Sequence, residues 1–287
     1  MGVFFKKMLQ KHILSFTRNS FVYIKSYTSP FLIKKESRLF MFDEKSFERG
    51  IFKKEVIVNI SKELLLNPEV SDTLLLILPY LRIEASLRGI VSTTLEYIVK
   101  RIGYIPNNQK GRINEVILRN LEWLVSKEYI SIDVPISKIS AKKFFRITIN
   151  NNNNIFDIKN KDGDCQPYVI LTSTEYENII QRSSKGRQGS MLRVFLNIKK
   201  YINFNEHSAK VCFPSIKTIR EESFIGSTET VSNLVKDLEE IGVIFVHRGG
   251  AFKSQSGKIR HRQNLYALTS KNLEIEINSK YTRCDKI

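Results

Sequence analysis

Cysteine is scarce in this chain: Cys165, Cys212 and Cys284 lie far apart, with no C-x-x-C spacing. An odd, sparse set excludes a disulfide framework and fits a reducing cytoplasm. Histidine is almost as thin. His12, His207, His247 and His261 are scattered, with no H-x-H pair and no Cys/His cluster at zinc spacing, so no metal site is expected. Asp162-x-Asp164 is an isolated acidic pair, too few ligands for a calcium loop. A G-x-x-x-x-G-K-[ST] run is missing, which excludes a P-loop; Ser184-Lys-Gly-Arg-Gln-Gly189 has its glycines in the wrong order and reads as a basic turn. Long apolar runs are missing too. The longest, Leu74–Leu78, stops at Pro79, far short of the roughly 18 residues of a membrane span. With no catalytic constellation and no cofactor motif, the chain reads as a non-enzyme.

Acid is the other shortfall. Asp+Glu 29 against Lys+Arg 46 gives a formal charge of +17 over 287 residues. That surplus favours polyanions, either nucleic acid or an anionic membrane surface. A lysine-rich proteome would produce the same balance without a polyanionic partner. A hydrophobic content of 42% with 26% charge excludes a disordered chain. The length suits one large domain or two small ones.

Composition divides the chain. Residues 1–40 form a basic, aromatic arm, with Lys6, Lys7, Lys11, Arg18, Lys25, Lys34, Lys35 and Arg38 against Glu36 alone. Three readings of the arm stand side by side: a phosphate grip, a membrane-surface segment, or sequence upstream of a true start at Met41. Lys6 stands where a myristoylation signal needs Ser or Thr, and no signal-peptide cleavage site follows an apolar core. Residues 51–150 read as one compact unit. A strand is expected over Lys54–Ile60, and a helix capped by Ser71 or Asp72 through about Ser86. A second helix is capped by Ser92 or Thr93, a turn covers Gly103–Asn108, and a third helix runs from about Arg112 to Lys127. Strands over Tyr129–Val134 and Phe144–Ile149 flank a loop. Residues 151–167 read as a polar, asparagine-rich linker that cannot fold alone.

Residues 168–270 repeat this grammar. A strand covers Tyr168–Thr172, and helices cover Thr174–Gln181 and Ser190–Ile202. Ser215 caps Ile216–Glu222, Phe224-Ile-Gly226 turns the chain, and Ser227 caps a helix through Ile241 that Gly242 ends. Val243–His247 and Gln263–Thr269 are strands around a long loop, and residues 271–287 are a tail. Helix, helix, tight turn, helix and hairpin is the order of a winged helix-turn-helix. The fold class expected is therefore α+β, mainly helical, with two such domains in tandem.

Residues 213–246 carry a family resemblance. Phe213-Pro-Ser215, Ile216-x-x-Ile219, Ser227-x-x-x-Val231 and Leu238-x-x-x-Gly242-x-Ile244 resemble the bacterial winged helix-turn-helix domains of transcription regulators and of plasmid and phage replication proteins. The first unit matches less well: Glu128 stands where that pattern has glycine, and its turn, Tyr104–Gly111, is longer. Together the two units resemble the paired layout of some plasmid replication initiators. The resemblance implies a helix in the DNA major groove with a hairpin, the wing, beside it on phosphates.

Projection of Ser227–Ile241 at 100° per residue puts Val231, Leu234, Leu238 and Ile241 inside. Glu229, Ser232, Asn233 and Lys236 fall outside, and Ser227 and Thr228 sit at the phosphate-binding N-terminus. Asn233 suits adenine and Glu229 suits cytosine. This helix is itself acidic, through Glu229, Asp237, Glu239 and Glu240. The wing holds Arg248, Lys253, Lys258, Arg260 and Arg262 with no acid. In the first unit, Lys110, Arg112, Asn114 and Arg119 are expected on the exposed side of the third helix, followed by Lys138, Lys142, Lys143 and Arg146. Arg119 can equally pair with Glu115 or Glu122.

The expectation is a cytoplasmic, sequence-specific binder of double-stranded DNA, a transcription regulator of a plasmid, phage or host locus. A replication initiator on origin repeats is the alternative. A protein-interaction module of the helicase-loading or primosomal type is the rival of another class. No cofactor is expected. Beyond duplex DNA, the partners expected are a second copy of the chain and the replication or transcription machinery; a membrane partner is disfavoured.

Overall fold

The computed structural model describes residues 55–281 except 108, 110, 152–154, 158–164, 166, 185, 205–209, 254–258 and 262. The expected arm at 1–40 lies outside them. Helix and strand are mixed, about half of the described residues being helical.

One order of elements runs through the chain twice. The first half is β1 (Ile57–Ser61), α1 (Lys62–Leu66), α2 (Asp72–Glu84), β2 (Ile90–Thr93), α3 (Leu95–Arg101), α4 (Ile113–Ser126), β3 (Ile130–Ile132) and β4 (Phe145–Ile149). The second is β5 (Tyr168–Thr172), α5 (Ser173–Arg182), α6 (Gln188–Lys199), β6 (Val211–Cys212), α7 (Ile216–Glu222), α8 (Thr228–Glu240), β7 (Phe245–His247) and β10 (Leu265–Ala267). The sheets correspond: antiparallel β2-β4-β3 in one half, β6-β10-β7 in the other. A separate ribbon, β8 (Ala251–Lys253) with β9 (Ile259–His261), is inserted between β7 and β10.

Helix ends explain why the boundaries fall where they do. Ser71, Thr94, Ser215 and Ser227 accept from the backbone N–H three residues on, at 3.0–3.1 Å, an N-cap of about 1 kcal/mol each. The cap of α3 is thus Thr94, one residue beyond the expected pair. The exits of α3, α4, α7 and α8 share one geometry. Gly103, Glu128, Phe224 and Gly242 have φ of 86°, 58°, 55° and 75°. The next N–H in each case returns to the carbonyl five residues back, Tyr129 to Leu124 at 3.0 Å and Val243 to Leu238 at 3.2 Å among them. Each half therefore spends one glycine and one ordinary residue on the same left-handed turn.

The halves share a single hydrophobic core running from Val58 to Tyr266. The described residues from Val56 onward form one compact unit. β1 pairs antiparallel with β5, Asn59 opposite Ile170, so the leading strands of the two halves meet. Behind them α2 packs on α6. Both helices are buried nearly all round, Leu74–Leu78 on one and Met191–Lys199 on the other, as expected for helices enclosed by protein. Gly189 permits the contact. A Cβ there would stand 2.8 Å from Asp72 Cβ and 3.0 Å from its carbonyl oxygen. Arg193, only 2% exposed, closes it. Its guanidinium reaches the Asp72 carboxylate and the carbonyls of Leu65 and Val70, while Ser190 Oγ donates to the other Asp72 oxygen at 2.6 Å.

Pro79 sits inside α2, where it leaves the Leu75 carbonyl without its helical donor. One residue along, the Leu76 carbonyl accepts the buried Tyr176 hydroxyl at 2.8 Å. Ile90–Thr93 and Val211–Cys212, where no strand is expected from the sequence, form β2 and β6, and two longer segments also differ from expectation. The polar stretch at 151–167 buries Ile155 and Phe156, the apolar pair among its asparagines. The expected tail from 271 begins instead as α9 (Ser270–Tyr281), packed on β6-β10-β7. Among the described residues, no helix is long and apolar enough to cross a membrane.

Candidate nucleic-acid interface

α8 exposes the face the helical projection gave it. Val231, Leu234, Val235 and Leu238 are buried, whereas Thr228, Glu229, Asn233 and Lys236 are exposed and Ser232 is half-buried. Ile241 is half-buried and acts as the C-cap. At the other end, Ser227 Oγ accepts from Thr230 N and lies 2.9 Å from Thr230 Oγ1. The N–H groups of Thr228 and Glu229 have no acceptor within the helix and point out of its first turn.

The acidity of α8 is largely balanced inside the protein. Glu239 pairs with Arg248 at 2.5 Å, and Asp237 pairs with Arg187 at 2.7 Å. The hydrogen bonds to Glu239 raise the Arg248 pKa above its ordinary value. One basic residue of the expected wing is thus already held by α8. Of the four acids, Glu229 and Glu240 stay exposed, with no ion pair among the described residues. Arg187 was not legible as a partner, because it lies fifty residues away in a basic turn.

The loop expected between Arg248 and Arg262 holds the β8–β9 ribbon. Lys253 lies opposite Ile259 and Arg260 opposite Phe252. Asn264 fixes the base of the ribbon, accepting from Gly249 N at 3.3 Å. Lys258 and Arg262 lie outside the described residues.

In the first half, Arg112 and Arg119 are exposed on α4, as expected. No ion pair joins Arg119 to Glu115 or Glu122, so the self-pairing alternative is not what the structure adopts. Asn114 corrects the projection: it is 4% exposed. Its Oδ1 accepts from Asn107 N at 3.1 Å, and Asn107 Oδ1 accepts from Gln109 N at 2.9 Å. A side chain that ties down the turn before α4 cannot also meet a base. Lys110 lies outside the described residues.

The β3–β4 connection is no free loop. Ile136 and Ile139 pack on the core, and the Ala141 carbonyl accepts from Glu96 N at 2.9 Å. This lays the connection against the first turn of α3. Lys138, Lys142, Lys143 and Arg146 are all exposed. So is Phe144, which the alternation of Phe145, Ile147 and Ile149 inward puts on the outer side of β4. The β-strand period held that information in the sequence.

No family model, no curated protein and no solved structure matches this chain. Its chemistry is therefore read from its own groups. Exposed Lys and Arg, amide side chains and the first-turn N–H groups of α8 can hold phosphates and meet base edges. Among the described residues, no three His, Cys, Asp or Glu side chains gather as a metal site.

Proposed function

We propose that this chain is a sequence-specific double-stranded DNA-binding protein with two winged helix-turn-helix units. In this reading α4 and α8 enter major grooves, with the β3–β4 connection and the β8–β9 ribbon as wings. The observation that carries it is the twice-repeated order of helix, strand, helix, helix, strand, strand. In each half the last strand lies between the other two, and the third helix is exposed on one face. The charge of +17 supports a polyanionic partner. Internal pairing of Asp237 and Glu239 removes much of the repulsion that α8 would otherwise offer to phosphate.

The biological role we assign is transcription regulation of a plasmid, phage or host locus, in the cytoplasm and on the nucleoid or plasmid. Replication initiation on repeated origin sites is the second reading, and the presence of two such units in one chain favours it. The exposed acids Glu229 and Glu240 favour the protein-interaction reading instead.

The test is duplex selection by the full chain from a random library, followed by occupancy mapping in the host. Peaks at promoters mean a regulator, and a cluster at iterated repeats means an initiator. No enriched duplex overturns the proposal and leaves protein interaction. On a selected duplex, Lys253→Ala with Arg260→Ala lowers the salt slope by about 2. Asn233→Ala leaves the slope and relaxes one base position.

A further inference from the structure

Three consecutive residues, Lys142, Lys143 and Phe144, stand out from the first half between two fixed points. On one side, Ala141 is tied to the first turn of α3 through its carbonyl. On the other, Phe145 is 2% exposed and in register with Thr93 of β2. One residue further, Arg146 N donates to Asp133 Oδ1 at 2.8 Å, holding β4 to the end of β3. Phe144 cannot turn inward, since Phe145 fills the core at that level. It is 75% exposed, and Lys142, Lys143 and Arg146, within two residues of it in the chain, are exposed as well and in no ion pair among the described residues. A lone exposed phenylalanine is ordinary. One flanked in the chain by three exposed cations, in a connection pinned to the first turn of α3, has the charge to suit a DNA groove.

We propose that Phe144 is a wedge that enters between two base pairs of the bound duplex and kinks it. This rests on the DNA-binding reading above. Lys142, Lys143 and Arg146 neutralise the flanking phosphates, and the ring replaces part of one base step's stacking. The step chosen is a flexible one, of the pyrimidine–purine type. Such wedges kink DNA by about 20–90°.

The probe is an A·T-rich duplex of about 30 bp with one central TA step, a 2-aminopurine at that step and a dye at each end, with the full chain at about 50 mM salt, where phosphate contacts are strong. Binding is read by anisotropy, unstacking by 2-aminopurine emission and bending by energy transfer. The wild-type chain is expected to bind, raise the emission and shorten the end-to-end distance. Phe144→Ala binds about tenfold more weakly with neither optical change, while Phe144→Leu keeps both. Equal thermal melting of the variants shows that the fold is intact. If the wild type binds with no rise in emission and no bend, the wedge is overturned and DNA binding stands. If emission rises only when the 2-aminopurine strand is offered alone, without its complement, the ring stacks on open bases and the wedge is also overturned. If the duplex is not bound, the wedge is overturned, while the DNA-binding reading stands or falls by the duplex selection described above.

Discussion

The contact of Asp72 with Arg193 sets how firmly the two halves hold each other, and its removal can be worked through. The Arg193 side chain is 3% exposed and that of Asp72 37%. In Asp72→Ala the guanidinium stays buried, facing the Leu65 and Val70 carbonyls and the Phe224 ring but no carboxylate. Breaking a buried pair from one side costs about 3–5 kcal/mol. Water reaches Asp72, so the lower end applies, about 3 kcal/mol. For a unit of this size that lowers Tm by roughly 6–12 °C. Arg193→Met removes the charge but leaves two carbonyls without that donor, at about 1–3 kcal/mol each. The double variant should then lose less than the two single losses added together, because the charge stranded by Asp72→Ala is gone. Thermal and urea unfolding of the four proteins completes the cycle. If the single losses add to within about 0.5 kcal/mol, the residues are not coupled and the reasoning is wrong.

Two further outcomes follow from single positions. Glu128 holds φ 58° where its counterpart is Gly242. A left-handed non-glycine residue costs about 1–2 kcal/mol, and glycine returns part of that as chain entropy. Glu128→Gly is therefore expected to gain about 0.5–1 kcal/mol and Gly242→Ala to lose about 1 kcal/mol, both by urea unfolding; a loss in Glu128→Gly would show that the side chain, not the turn, matters there. Burial pushes the Cys212 thiol up to about 12, and burial raises the Tyr80, Tyr176 and Tyr266 hydroxyls as well. Above about pH 9 the unfolded thiol gives up its proton while the folded one keeps it, so stability falls as pH rises. Cys212→Ala should move the onset of that fall towards the tyrosine range, near pH 10; an unchanged onset in alkaline melts would remove Cys212 from the account.

Much of this architecture could be read from local signals. Ser71, Ser215 and Ser227 announce helix starts because a short hydroxyl reaches the N–H three residues on. Gly242 announces a helix end because φ of 75° suits glycine. The apolar spacing of α8 gave its inner and outer faces because a helix repeats every 3.6 residues. These are properties of a few neighbouring residues, and the chain alone determines them. Asn114 shows where this stops: the projection set it outward, and the turn before α4 drew it in as a hydrogen-bond acceptor.

Only the tertiary structure decided what joins residues distant in the chain. The pairing of β1 with β5 spans more than a hundred residues, and an apolar alternating strand does not name its partner. α2 and α6 are buried on nearly every side because each half covers the other, which no single-helix periodicity records. Arg193 is a charged residue with nothing beside it in the chain to mark it as buried; Asp72 and two carbonyls, all more than a hundred residues away, enclose it. The balance of acid on α8 changed in the same way, through Arg187 and Arg248. Charge and burial depend on neighbours in space, and the sequence orders neighbours only along the chain.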